Sequence, residues 1–533
     1  MCILCGKPHR VSTSRRNFLK ATAATGLATG AIGLLGSRAE ALGDGQDSPP
    51  PYTGRPGRRY VIRNAFVMTM DPSLPGGGNY VRGDVLVEGK KILAVGPNIN
   101  AGNAAEIDAR GRVVMPGFID THHHQAWTAI RSSVPDGILI DDGTGTPSAQ
   151  QNYFNNVLAG FTGTSGFARH YRADDVYVSE LFGGLSQLDA GVTTVLDISQ
   201  IHHSPEHSDA AVQALKDAER RAAFGYFESA GAVAGNQYPQ DATRIKKQHF
   251  SSNDQLVTMV MGGEVYLGDA TTVASWTLGR QLGLQVAAHI LSPFGIRSIL
   301  DRLTNGTFPD GIQVGADNLF IHMTGMSDAA WQKVKDVGGQ VSIAFPIEMS
   351  MRHGIPPILK VQQLGMEPSL SSDVETNMTA DFFTQMRSAL TMQRMVVNQM
   401  ILEQGDFESN PYPSPAPGTP PLLNAKDVLR FATINGAKHL RLDGKTGSLT
   451  PGKEADIIIL DGTHLNVFPM NNVPGAVVTL MERTNVETVI VAGKVRKWKG
   501  RLLDVDLPRL RQRLQASRDY LYQAAGVAQN PFP

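Results

Sequence analysis

The sequence predicts an α/β protein: a (β/α)8 TIM barrel carrying a small β-sandwich domain formed by both termini. Three observations carry this. Apolar runs alternate with helical stretches through the middle of the chain, the pattern of a parallel α/β fold. Strand-like segments with a shared vocabulary stand at both ends, around a long insert. An apolar run near residue 120 ends in clustered histidines, and the C-terminal end of a strand is where such a barrel keeps its active site.

In chain order, residues 1–41 read as a targeting segment. Ser14-Arg15-Arg16-Asn17-Phe18-Leu19-Lys20 matches the twin-arginine export pattern. A weakly apolar Ala/Gly stretch from Ala21 to Gly36 follows, too short and too weak for a membrane span. Ala39-Glu40-Ala41 offers a small-x-small cleavage site before Leu42. The expectation is an exported protein, periplasmic or secreted, that meets the twin-arginine machinery and keeps no stable membrane insertion after cleavage. Both cysteines, Cys2 and Cys5, fall in this segment. The mature chain is then cysteine-free, and disulfides and thiolate ligands drop out. Residues 42–58 are Gly/Pro-rich and read as a linker.

Residues 59–113 and 446–505 form the composite β domain. Arg59 to Met70 alternates as a strand should, and Val85 to Val95 reads as a hairpin turning at Glu88-Gly89-Lys90. Ala455 to Asp461 and Val486 to Trp498 return to the same pattern, the latter turning at Ala492-Gly493-Lys494. Between them, residues 114–445 make the barrel. Its strands are expected near 114–122, 192–198, 221–227, 256–266, 285–290, 317–323, 339–345 and 366–372, and eight such strands close naturally into a barrel. Residues 506–533 read as a helix, Pro508 to Ala524, and a tail, with Pro508 suited to the first turn.

Composition narrows the function. The 533 residues are 41% hydrophobic and 18% charged, with 49 basic and 49 acidic side chains. A balanced chain without a basic run argues against a nucleic-acid partner and for a small-molecule substrate. The sequence leaves room for a homo-oligomer.

The strongest chemical feature is Met115-Pro116-Gly117-Phe118-Ile119-Asp120-Thr121-His122-His123-His124. On a strand, residues i and i+2 share a face. His122 and His124 can therefore reach one ion, and imidazole suits Zn²⁺ and related cations. Taken alone, H-x-H is short and common, and a solvated polar strand end explains it equally well.

The run Pro-Gly-Phe-Ile-Asp-x-His-x-His resembles the first barrel strand of the amidohydrolase superfamily, especially its atrazine chlorohydrolase and cytosine deaminase-like branch. Gly191-Val192-Thr193-Thr194-Val195 is similar to that branch's second strand. Ala432 to Ala437 and Gly447 to Asp456 are similar to its exit from the barrel, and Val489 to Gly493 to its last hairpin. The resemblance implies further positions: His289 as the fifth-strand ligand, His322 as the sixth-strand histidine and Asp373 as the eighth-strand aspartate. It implies a metal site of His122, His124, His289 and Asp373, with Zn²⁺ expected, one ion per chain favoured. Another divalent ion or a dinuclear site remains open. Such an ion lowers the pKa of bound water towards ~7 and supplies a hydroxide nucleophile. Asp373 would orient the water and move its proton to the leaving nitrogen. His322 would polarise the substrate or bind a second ion.

One departure matters. Deaminases of this branch usually carry His-x-x-Glu on the fifth strand, and here the run is His289-Ile290-Leu291-Ser292. Serine does not shuttle protons at neutral pH. Hydrolysis of an amide, lactam or carbamate C–N bond becomes the expected reaction. Deamination or dechlorination of a nitrogen heterocycle is the alternative, and an inactive binding protein on the same fold a second one. Other pocket candidates are Gln125 and Trp127 after the H-x-H, His202 after the second strand, Glu264, as a bridge between ions or a substrate ligand, and Glu348, as a stand-in for the missing glutamate. Val134 to Arg172 is expected to form a lid, and Met349 to Met351 an apolar wall.

Overall fold

The computed structural model describes residues 48–530, apart from 161–162, 232–235, 253 and 407. The expected leader and cleavage site lie outside the described residues. Five strands open the described chain: β1 Arg59–Met68, β2 Asn79–Glu88, β3 Lys91–Gly96, β4 Ala105–Asp108 and β5 Arg112–Pro116. Eight follow: β6 Phe118–His123, β7 Val192–Ser199, β8 Arg221–Tyr226, β9 Val257–Gly262, β10 Val286–Ile290, β11 Asn318–His322, β12 Gln340–Ile343 and β13 Ser369–Leu370. Four close it: β14 Ile457–Asp461, β15 Val486–Val491, β16 Lys494–Trp498 and β17 Arg501–Leu502.

β6 to β13 lie side by side in sequence order in an eight-stranded sheet, each parallel to the next. A parallel bridge between His123 and Asp373 brings the end of the last strand against the end of the first. Inside, the Thr121 hydroxyl lies 2.7 Å from that of Ser342 and 2.8 Å from that of Ser369. This is the expected (β/α)8 barrel. Its strands are buried on both faces and read as near-continuous apolar runs, as parallel strands covered by helices must.

The strands of both termini are hydrogen-bonded into one nine-stranded sheet, in the order β17-β16-β15-β14-β5-β1-β2-β3, with β4 beside β1. Tyr60, Ile62, Val85 and Val114 from the front half share a core with Ile457, Ile459, Ile490 and Val495 from the back half. The two ends are therefore one folded piece, as expected from their shared pattern.

The expected strand 114–122 is two strands in two sheets. β5 pairs with β1 and β14, whereas β6 pairs with β7. Gly117 is the break. Its N–H donates to the Asp456 carbonyl at 3.1 Å, and a Cβ there would stand 2.2 Å from the Thr193 side chain. Only glycine passes so close to the second barrel strand, and the handover occurs at that residue. The terminal helix is Leu507–Ala525, capped by the Asp506 side chain on the Arg509 N–H. No helix among the described residues is long and apolar enough to cross a membrane.

Candidate metal centre

The site lies at the C-terminal ends of β6, β10, β11 and β13. β6 ends in an unbroken run of buried residues, and its alternation turns His122 and His124 to one side. Nε2 of His122 stands 3.0 Å from Nε2 of His124 and 3.1 Å from Nε2 of His289, the fourth residue of β10. A tetrahedral ion with bonds of about 2.0–2.1 Å would hold its nitrogens roughly 3.3 Å apart, so three ring nitrogens already stand at nearly the spacing zinc requires. Asp373 follows β13. Its N–H donates to the His122 carbonyl, and its own carbonyl accepts from His124 N–H, both at 3.0 Å. Its Oδ1 lies 3.4 Å from His122 Nε2 and 3.6 Å from His124 Nε2. Three imidazoles and a carboxylate, all buried and convergent, are a donor set that fits a divalent cation such as zinc.

Second-layer carboxylates aim two of the rings. Glu264 accepts from His289 Nδ1–H and, at 3.2 Å, from His289 N–H. Glu348 accepts from His322 Nδ1–H and from Ala344 N–H, both at 2.9 Å. A proton held on Nδ1 leaves Nε2 with its lone pair, and a carboxylate behind the ring makes that nitrogen a better ligand. His322 Nε2 faces Asp373 Oδ2 at 3.6 Å. His322 and Asp373 both adopt left-handed backbone, φ +72° and +61°. That conformation is costly for residues with a Cβ and gathers at functional sites.

Burial and mutual repulsion hold the His122, His124 and His322 imidazoles well below their ordinary value, so they are neutral and able to bind a cation. Burial also lowers His289, but Glu264 at its Nδ1, with Asp373 and Glu228, turns the net shift upward. Burial pushes the Asp373 carboxyl up to about 7, against the pull of His289 and with added repulsion from Asp120. A bound cation acts against that lift.

Beside these groups is a small apolar cavity of about 50 Å³, walled by Leu139, Phe154, Leu158, Leu291, Phe294 and Met351. His124, His289, His322 and Asp373 open onto it, and no Lys or Arg lines it. Past Phe154, Leu158, Tyr266 and Phe294 it meets a wider vestibule of about 720 Å³ that carries Glu228. The expected lid, Val134 to Arg172, supplies Leu139, Tyr153, Phe154 and Leu158 to the cavity. Of the expected methionine wall only Met351 lines it, Met349 being exposed.

The weaker candidates are placed differently from the expectation, and none lines the cavity. Gln125 sits in a buried polar cluster, its Nε2 donating to Glu180 and its N–H to Asp197. Trp127 is buried one layer back, its indole N–H donating to the Tyr153 hydroxyl at 2.9 Å. His202 does not turn inward: its two ring nitrogens meet Ser208 Oγ at 2.9 Å and the Ser199 carbonyl at 2.8 Å, which satisfies both. Glu264 and Glu348 stand behind His289 and His322, on the Nδ1 sides, and neither lines the cavity. Ser292 also stays out of the cavity, packed against Gly325 with its N–H on the Thr324 hydroxyl. No carboxylate therefore replaces the fifth-strand glutamate from that position.

Three polar cavity residues escaped the sequence reading: Gln200, Tyr266 and His353. His353 is buried, and neither ring nitrogen has a partner. It stands on an irregular loop after β12, where no periodicity marks it.

The chain is similar along most of its length to known proteins. It is 25% identical over 470 residues to a 5'-deoxyadenosine deaminase of Methanosarcina mazei, covering 86% of this chain and 98% of that one. It is 25% identical over 469 residues to a 5-methylthioadenosine/S-adenosylhomocysteine deaminase of Desulforudis audaxviator, covering 84% and 95%. Among solved structures, an adenosine deaminase from Xanthomonas campestris with bound zinc shares the fold with a TM-score of 0.69 at 20% identity, covering 89% of this chain and all of that one. Atrazine chlorohydrolase from Arthrobacter aurescens TC1, complexed with zinc, does so with a TM-score of 0.68 at 19% identity, covering 86% of this chain and all of that one. The pattern that describes the amidohydrolase family matches residues 113–496, from the last strand before the barrel to the penultimate strand of the chain, and the protein belongs to that family.

Proposed function

We propose that this amidohydrolase, a hydrolase of carbon–nitrogen bonds, opens an amide, lactam or carbamate bond in a small, neutral, largely apolar substrate, outside the cytoplasm. The observation that carries this is the cavity itself. Its walls are apolar, it has no cation for an anionic substrate, and its one acid is Asp373.

His122, His124, His289 and Asp373 would hold one zinc ion, which supplies a water of lowered pKa when bound. Asp373 does the proton work. Its Oδ2 is buried without a hydrogen-bond partner and faces the cavity, so it can take the water's proton and return it to the leaving nitrogen. Glu264 fixes His289 so that the nitrogen pair stays aligned. The apolar wall excludes bulk water and seats the substrate's hydrocarbon part. A plain acyl C–N cleavage needs no second acid, which fits the absence of a carboxylate at the Ser292 position.

Deamination of a nitrogen heterocycle is the second reading, favoured by the similarity to 5'-deoxyadenosine and 5-methylthioadenosine/S-adenosylhomocysteine deaminases. The two are separated by products. Zinc-loaded protein would be incubated with 5'-deoxyadenosine and adenosine, and separately with neutral lactams, carbamates and anilides. Amine or ring-opened product from the second group, without ammonia from the first, supports the proposal. Ammonia from the nucleosides overturns it in favour of deamination.

A further inference from the structure

We propose that Glu228 anchors the far end of the substrate, and that this end carries an uncharged NH2 group. The inference rests on the hydrolase reading above and deepens it by naming the part of the substrate that lies beyond the apolar cavity.

The position is built. Glu228 stands two residues past β8, at the barrel mouth, and lines the vestibule. The chain on either side of it is tied to β7 and the loop that follows. Phe227 N–H donates to the Ser199 carbonyl at 3.2 Å, and Ala230 N–H to the Gln200 carbonyl at 2.8 Å. Glu228 Oε1 accepts twice, from Gln200 Nε2–H at 2.8 Å and from the Tyr266 hydroxyl. Gln200 and Tyr266 both line the cavity beside the metal ligands, and Tyr266 lines the vestibule as well. Glu228 therefore stands behind the cavity wall, at the join of the two spaces.

Two acceptors at this join call for a donor. Glu228 is only 9% exposed, and its Oε2 has no hydrogen-bond partner. Oε1 of Gln200 is buried and unpartnered too. A buried acceptor left unpaired is costly, and these two belong to side chains already bonded to each other. Among the described residues, no lysine or arginine lines either space. An NH2 group brings one hydrogen for each acceptor. Phe154, Leu158 and Phe294, shared by cavity and vestibule, seat the hydrocarbon between this group and the scissile bond. The same apolar neck makes passage of an ammonium costly, so the amine is uncharged. Burial and repulsion from Glu264 push the Glu228 carboxyl up, against the Tyr266 hydrogen bond. Once ionised, its Oε2 only accepts.

The test is a matched pair of ligands. Zinc-loaded protein is titrated by calorimetry at about pH 8.5, where the carboxylate is ionised. The probes are para-aminoacetanilide and para-(dimethylamino)acetanilide. The second keeps the ring and the amide and has no hydrogen on the distal nitrogen. Wild type should bind the first about 10-fold or more tightly than the second, as hydrogen bonds to a charged acceptor allow. Glu228→Gln keeps the shape. Its carbonyl stays with Tyr266 and Gln200, and its NH2 replaces Oε2, turning an acceptor into a donor. The preference should then fall to within about 2-fold. Zinc content and circular dichroism confirm the fold, and if the glutamine variant does not fold, Glu228→Met takes its place. Equal binding of the two compounds by wild type, binding of neither, or a preference that the folded variant keeps overturns the proposal. Acetate released in the same samples tests the acyl-cleavage reading separately. A preference without release leaves the Glu228 anchor standing and counts against that reading, and release without a preference does the reverse.

Discussion

At the scale of single residues, the His289 and His322 imidazoles are governed by what holds their other nitrogen. Glu264 holds His289 by its ring and its backbone at once. Glu264→Gln keeps the shape and removes the charge, and the variant should fold normally and lose about 10-fold or more in zinc affinity, measured by chelator competition. His202 is the contrasting case. It is buried and satisfied on both nitrogens away from the cavity, so His202→Ala should cost roughly 1–3 kcal/mol in denaturant unfolding and leave zinc content unchanged. The difference between these two histidines was not legible in the sequence. Both follow apolar strands, and only the fold shows that the loop after β7 turns His202 back onto Ser199 and Ser208. His122 and His124 were legible because they end an apolar run, where a polar side chain has a barrel mouth to face, and His289 and Asp373 became legible through the family resemblance. His353 was not, because its place depends on Thr324 and Gly354 across a loop, a tertiary contact with no local pattern.

At the scale of elements, the joint between the barrel and the terminal sheet rests on a buried ion triad. Arg221, the first residue of β8, donates from Nε to Asp456 and from Nη2 to Glu454, both at 2.7 Å. Asp456 also accepts from Ala492 N–H, in the turn between β15 and β16. Sequence showed strands on both sides of this joint, but an arginine opening a strand gives no sign of its partners more than 230 positions away. Arg221→Ala would strand two buried carboxylates, and an expected loss of about 3–5 kcal/mol follows from that, read by urea unfolding. The triad also sets an acid sensitivity. Burial pushes the Glu454 carboxyl up, but Arg221, Lys90 and Lys91 outweigh it, and the net shift is below the ordinary carboxylate range. A depressed folded-state value means the stabilisation is complete above the unfolded value of about 4.3 and is lost as pH falls through the folded one. Between pH 5 and 3 the melting temperature of wild type should therefore fall more steeply than that of Glu454→Gln. Parallel slopes would show that Glu454 does not contribute.

At the scale of the whole molecule, the barrel and the two-ended β domain were legible because both are written in periodicity: buried parallel strands as apolar runs, and exposed hairpins as alternation broken at glycine. The handover at Gly117 was not, since a run from 112 to 123 looks continuous until Thr193 and Asp456 are placed beside it. The same architecture bears on the export we propose for this chain. The candidate ligands come from β6, β10, β11 and the end of β13, and they meet only when the last strand closes against the first through His123 and Asp373. An unfolded chain has no such site, so metal loading requires a finished barrel. A pathway that carries folded proteins is the one compatible with loading before transport, and Ser14-Arg15-Arg16-Asn17-Phe18-Leu19-Lys20 matches its recognition pattern. Replacing both arginines, Arg15→Lys with Arg16→Lys, keeps the charge and removes the paired guanidinium groups. The variant should accumulate in the cytoplasm at full length, folded and with the same zinc content as the exported protein, as read by cell fractionation, immunoblotting and metal analysis. Variant protein found outside the cytoplasm in wild-type amounts would show that the arginine pair does not direct this chain. Retained protein without metal would show that the barrel is loaded only after transport.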